Sequence, residues 1–159
     1  MDYEKKITPD WKIVYLSHMK TTAFLFLIFI KGALWAQLKI SITGLRNNSG
    51  SVILGFYTSD KSFDDEKPVL SKTESKATTV NHVLTLTYTG LKPGTYGVVL
   101  LDDENNNGKM DYGWILPNEG YGFSNYYHTG MTKPKLIKFS FTITNTNEPK
   151  AIEIKTKYF

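Results

Sequence analysis

Residues 102–111 read Asp-Asp-Glu-Asn-Asn-Asn-Gly-Lys-Met-Asp, four acids against one lysine. Counted from Asp103, side-chain oxygens fall at relative positions 1, 3, 5 and 9, on Asp103, Asn105, Asn107 and Asp111. Gly108 takes position 6, and the Lys109 carbonyl stands at position 7. That is the spacing of a calcium loop. Ca2+ takes about six to eight hard oxygens, and alternate residues of a tight loop face one ion only where a glycine allows the bend. The bidentate carboxylate expected at position 12 is replaced by Trp114, so Glu119, a little further on, or Asp102 is the candidate to compensate. Without a cation, the same residues make an Asn/Gly-rich turn held by Asx-type hydrogen bonds.

Other chemistry is thinner. Asp103, Asp111 and Glu119 suggest a small hydrolase acting across a glycosidic bond. Carboxylates gathered round a cation are poor general acids, however, because the cation favours their charged form. Tyr121, Phe123, Tyr126 and Tyr127, with Trp114, form an aromatic segment after the acidic loop. Such rings stack on sugars or peptides, or cover the edge of a core. His82 and His128 lie far apart in sequence, and neither belongs to a metal-spaced pair. No nucleophile-elbow or His-Glu-x-x-His signature is present, so no catalytic residue is expected.

The elements that must carry the loop read as strands. Residues 38–43 and 82–89 alternate apolar with polar side chains, the period of a half-buried strand. Residues 51–58 are more apolar on both faces, and 95–101, the most apolar strand, should be central. Residues 72–80 suit a polar edge strand, while 135–144 and 150–158 complete about seven strands. Residues 59–68 suit a loop or one helical turn. Pro93-Gly94 suits a tight turn, proline presetting φ and glycine supplying a positive φ, with Leu91 and Tyr96 plugging the core on either side. With no convincing amphipathic helix, these segments predict an all-β fold, a single immunoglobulin-like β-sandwich. The Leu91–Tyr96 turn resembles one common in transthyretin-like β-sandwich domains, which implies an immunoglobulin-like or transthyretin-like sandwich.

Length and composition set the frame. The 159 residues suit one domain. At 14% aromatic and 21% charged, the chain is poor material for wholesale disorder. No cysteine is present, which excludes disulfides, thiolate metal centres and a Cys nucleophile. The net charge of +4 is dispersed, which gives no electrostatic reason to expect nucleic acid. Residues 19–36 run from Met19-Lys20 through an apolar tract to Ala36, the order of a secretory signal peptide, and the tract is too short for an integral membrane span. Residues 1–18 are expected to be an over-called start or a disordered extension, and 37–159 the mature, exported domain.

The motifs together resemble a family. The run from Asp103 to Asp111, followed by Ile115-Leu116-Pro117-Asn118-Glu119-Gly120-Tyr121-Gly122-Phe123-Ser124-Asn125, is similar to the DUF2141 proteins of bacteria. In these a "DENxNGKxD" stretch follows an "LxPGxY" turn and precedes "GxPxEGYGFSN". Ile42-Thr43-Gly44-Leu45-Arg46-Asn47 resembles the family's first strand and turn. One departure is Trp114-Ile115-Leu116, where the family usually has a glycine before the apolar residue. The resemblance implies export and a sandwich fold, and no reaction. The expected function is therefore a non-enzymatic binding or structural module of the cell envelope, periplasmic, outer-surface or secreted, with Ca2+ in the loop and an envelope protein or glycan as partner.

Overall fold

The computed structural model describes residues 37–130, 132–144 and 148–159. The expected extension at 1–18 and signal peptide at 19–36 lie outside the described residues.

Two sheets share one core. The first has the order β4-β1-β8, with β1 (Gln37–Thr43) antiparallel to β4 (Val83–Thr89) and parallel to β8 (Lys150–Lys155). The second has the order β3-β2-β5-β6, from β2 (Ser51–Tyr57), β3 (Leu70–Ser75), β5 (Gly94–Asp103) and β6 (Gly120–Phe123). β7 (Ser140–Ile143) pairs with the first half of β5 and β6 with the second half, so β5 is the central strand. The period-2 pattern decides what is buried. Leu38, Ile40 and Ile42 of β1 cluster with Leu84 of β4 and Ile152 and Ile154 of β8 from their own sheet, and with Val52, Leu54, Phe56, Val98 and Leu100 from the second. Each fully buried aliphatic side chain contributes about 1.5–3 kcal/mol relative to exposure. Bridges from Tyr121 to Lys157 and from Ser124 to Ile154 join the two sheets along one side.

Several details differ from the sequence-based expectation. β6 has no counterpart among the expected strands, and it makes eight among the described residues. The expected strand over 72–80 is β3 followed by a 3-10 turn, Lys76–Thr78, and that over 135–144 is a 3-10 turn, Leu136–Lys138, followed by β7. Gly94 has φ 159, close to extended, and opens β5; the left-handed residue of that turn is Gly90, at φ 80. Leu91 and Tyr96 do pack against the core, and the Tyr96 hydroxyl donates to the Lys92 carbonyl at 2.9 Å. The polar stretch after β2 forms one short helix, α1 (Asp60–Asp64), capped by the Ser59 hydroxyl. Among the described residues no helix is long and apolar enough to cross a membrane.

Candidate functional site

The acidic loop leaves the end of β5, where successive side chains point to opposite faces. Asp102 continues the inward row of Val98 and Leu100, and Asp103 turns the other way into the loop. Both are buried. Asp103 organises the turn: its Oδ1 accepts the Asn107 N–H at 3.0 Å and its Oδ2 the Gly108 N–H at 2.9 Å. Asn105 Oδ1 also accepts the Asn107 N–H, and Asn107 Oδ1 accepts the Lys109 N–H, each at 3.0 Å. These are the Asx bonds that suit Asn and Asp to tight turns. Positive φ at Asn106 (60) and Gly108 (80) completes the bend.

The remaining proposed ligands converge on Asp111. Its Oδ2 accepts from Asn105 Nδ2 at 2.5 Å and from Asn107 Nδ2 at 2.8 Å. Glu119 lies beneath the loop, 4% exposed. Its Oε1 accepts the Glu104 N–H at 3.0 Å and its Oε2 the Asp111 N–H at 3.1 Å, tying the two ends of the loop together. Lys109 is exposed. Trp114 stands fully in solvent at the tip of a second turn, closed by the Gly113 N–H on the Leu116 carbonyl at 2.8 Å. Among the described residues, no three or more His, Cys, Asp or Glu side chains are grouped to hold a metal ion. Any oxygen cage here therefore depends on the two asparagines.

The inward side of the loop carries a polar network that the sequence did not announce. Lys76 and Asp102 are both fully buried, with Nζ 2.5 Å from Oδ1. Lys76 also donates to Asn47 Oδ1 at 3.2 Å, and the Tyr158 hydroxyl donates to Asp102 Oδ2 at 2.5 Å. Asp102 is thus committed to Lys76 and Tyr158. Above this pair, Arg46 grips Glu104 through Nε and Nη2, both at 2.6 Å, and reaches the Asn118 carbonyl at 2.9 Å. The Arg46 hydrogen bond holds Glu104 below the usual carboxylate range, against the opposing effect of its partial burial. Tyr158 is pushed up, first by burial and then by its bond to Asp102. Lys76 sits on a 3-10 turn after a polar edge strand, and a lone lysine in such a stretch reads as solvated. Only the tertiary fold pairs it with Asp102.

The aromatic segment does not form a flat row. Phe123 packs into a second core with Tyr57, Phe63, Leu136 and Phe139. Tyr121 meets Phe123 edge to face, while Tyr121 and Phe159 stack at 5.8 Å and 28°. Tyr126 tilts against Phe123, and Tyr127 is exposed, with the Lys155 ammonium 5.1 Å over its ring. Between this segment and the 112–117 turn lies a cavity of about 420 Å³, whose walls include Phe63, Tyr112, Leu116, Tyr121, Phe123 and Phe159. Asp103, Asp111 and Glu119 do not line it. Both described histidines are engaged with carbonyl oxygens, His82 Nδ1 with Leu45 at 2.6 Å and His128 Nε2 with Thr132 at 2.7 Å.

Comparison with known proteins agrees with the motifs. No curated protein and no solved structure matches the chain. The profile of one family, described as an uncharacterised protein conserved in bacteria, matches residues 40–151, from β1 into β8 and across the whole acidic loop. The chain belongs to the DUF2141 family.

Proposed function

We propose that this chain is an exported, non-catalytic module of the cell envelope, an immunoglobulin-like or transthyretin-like β-sandwich whose 103–111 loop takes Ca2+. The observation that carries this reading is the convergence of Asn105 and Asn107 on one carboxylate oxygen of Asp111. Two amide N–H groups face that carboxylate. A half-turn of each amide exchanges nitrogen for oxygen, turning two donors into two ligands beside Asp111. That rotation gives up Asx bonds worth about 1 kcal/mol each, which the charge of the ion must offset. Asp103 supplies the position-1 carboxylate and Lys109 the carbonyl. Glu119 acts first as the strut that holds the loop ends together.

The engagement of the carboxylates supports the non-catalytic part. Asp103 and Glu119 accept backbone N–H groups, Asp102 meets Lys76 and Tyr158, and none of them lines the aromatic cavity. Calorimetric titration of the purified chain with Ca2+ tests the ion, and no heat of binding at millimolar Ca2+ would refute it. N-terminal sequencing of protein from its native host tests export. The mature chain should begin near Gln37, and intact residues 1–36 on a cytoplasmic protein would rule export out.

One observation favours a second function. The aromatic cavity is of a size that suits ligands, and Tyr121 stacked on Phe159 offers a platform for a sugar ring or an apolar peptide side chain. Retardation of the chain on glycan-loaded gels, lost in Tyr121→Ala, would establish it. Equal migration with every glycan would remove that ligand class.

A further inference from the structure

Lys76 and Asp102 are held in a way that goes beyond ion pairing. Neither side chain is exposed, and Nζ lies 2.5 Å from Oδ1. A carbon–oxygen bond is about 1.23 Å, so Cγ of Asp102 lies no more than about 3.7 Å from Nζ. That upper bound is only a few tenths of an ångström beyond the roughly 3–3.5 Å at which positioned groups react. A fully desolvated ion pair is also a poor source of stability, because removing two charges from water opposes their attraction. Here each remaining atom of the pair already has the partner an amide would need. Asp102 Oδ2 accepts the Tyr158 hydroxyl at 2.5 Å, and Lys76 Nζ donates to Asn47 Oδ1 at 3.2 Å.

We propose that Lys76 and Asp102 condense into an intramolecular isopeptide bond that joins the turn after β3 to the end of β5. The atoms balance without a co-reactant. The ammonium brings three protons and the carboxylate none. As one proton passes to Oδ1, the freed Nζ lone pair attacks Cγ, and negative charge gathers on Oδ2. The Tyr158 hydroxyl donates to that oxygen, where a donor stabilises the tetrahedral intermediate most. A second proton leaves nitrogen, the Cγ–Oδ1 bond breaks, and Oδ1 departs as water. The product amide keeps Oδ2 on Tyr158 and its single N–H on Asn47. Two buried charges are replaced by one satisfied neutral group, which favours the product in an interior that exposes neither residue.

Tryptic mapping of the purified wild-type chain reads this directly. Trypsin does not cut at a lysine acylated on Nζ, nor at Lys92, which precedes Pro93. The condensed chain should therefore yield residues 73–109 as one peptide, lighter by one water, with fragment ions placing the link between Lys76 and Asp102. An intact chain of full mass that yields 73–76 and 77–109 separately after prolonged incubation of the folded protein overturns the proposal. A water lost with Lys76 still cut marks cyclisation elsewhere and also overturns it. Lys76→Arg should give a chain of full mass. Followed by intact mass from the time of synthesis, Tyr158→Phe should lose its water about a hundredfold more slowly than wild type, and an unchanged rate would overturn the role given to Tyr158 in the step.

Discussion

Gly50 sits against Asp103 so closely that a Cβ at position 50 would lie 2.1 Å from the Asp103 carbonyl oxygen. The β1–β2 turn therefore supports the base of the acidic loop by backbone contact, and φ of 75 at Gly50 adds a second demand for glycine. Gly108 has a similar φ of 80, but a Cβ there would meet nothing within 4 Å. The pair separates contact from conformation. Gly50→Ala should destabilise by about 3 kcal/mol, since strain and overpacking each cost about 1–3 kcal/mol. Gly108→Ala should cost about 1–2 kcal/mol, the penalty of a left-handed residue alone. Denaturant unfolding of both variants is the check, and equal losses would show that the Gly50 contact is unimportant.

Glu119 should behave as a strut. It is buried and accepts two backbone N–H groups from opposite ends of the loop. Glu119→Ala leaves both donors without an acceptor, each at about 1–3 kcal/mol. The expected loss is about 2–4 kcal/mol, with faster amide exchange at Glu104 and Asp111. Lys109→Ala, at an exposed side chain, should change stability by less than about 0.5 kcal/mol. Unchanged exchange in Glu119→Ala would contradict the strut.

Tyr88 links stability to alkaline pH. It packs against the core, and its hydroxyl donates to Glu74 at 3.0 Å. Burial first, and then the Glu74 carboxylate, push the phenol well above its usual range. The folded state thus keeps a proton that the unfolded chain loses near pH ~10. The contribution is fully present below that pH and is lost as pH rises toward the folded value. Tyr57 and Tyr158 are raised too, so the difference between wild type and Tyr88→Phe isolates this group. Wild-type stability should fall more steeply than that of Tyr88→Phe above pH ~10. Parallel curves would show that Tyr88 titrates as an exposed phenol.

Most strands are legible in the sequence because a sheet with one buried face writes its period into the chain. Ile152, Ile154 and Thr156 are buried in alternation, as the pattern over 150–158 implies. β6 is hidden because Gly120 and Gly122 stand where side chains would alternate. A Cβ on Gly122 would lie 2.6 Å from the Ile154 side chain, so those positions are set by close packing rather than polarity. The loop residues are legible through their spacing. The Lys76–Asp102–Tyr158 network is not, because its members lie on three distant segments and two are charged. Nothing local distinguishes a charge that tertiary structure buries from one left in water.

The calcium reading stands on one measurement, thermal melting of the purified chain in millimolar Ca2+ and in chelator. Of the four acids from Asp102 to Asp111, Asp102 is paired with Lys76 and Glu104 with Arg46, which leaves Asp103 and Asp111 for the ion, and an ion bound only by the folded state stabilises it by about 2.7 kcal/mol at a hundredfold excess over Kd. Mg2+ should do less, because it demands near-octahedral sites and keeps its waters. The expected result is a higher Tm in Ca2+ that disappears in Asp103→Ala and persists in Lys109→Ala, which keeps the backbone carbonyl. The same Tm for the wild-type chain in Ca2+ and in chelator would contradict it, and the loop would then be an Asn/Gly turn held by its own hydrogen bonds.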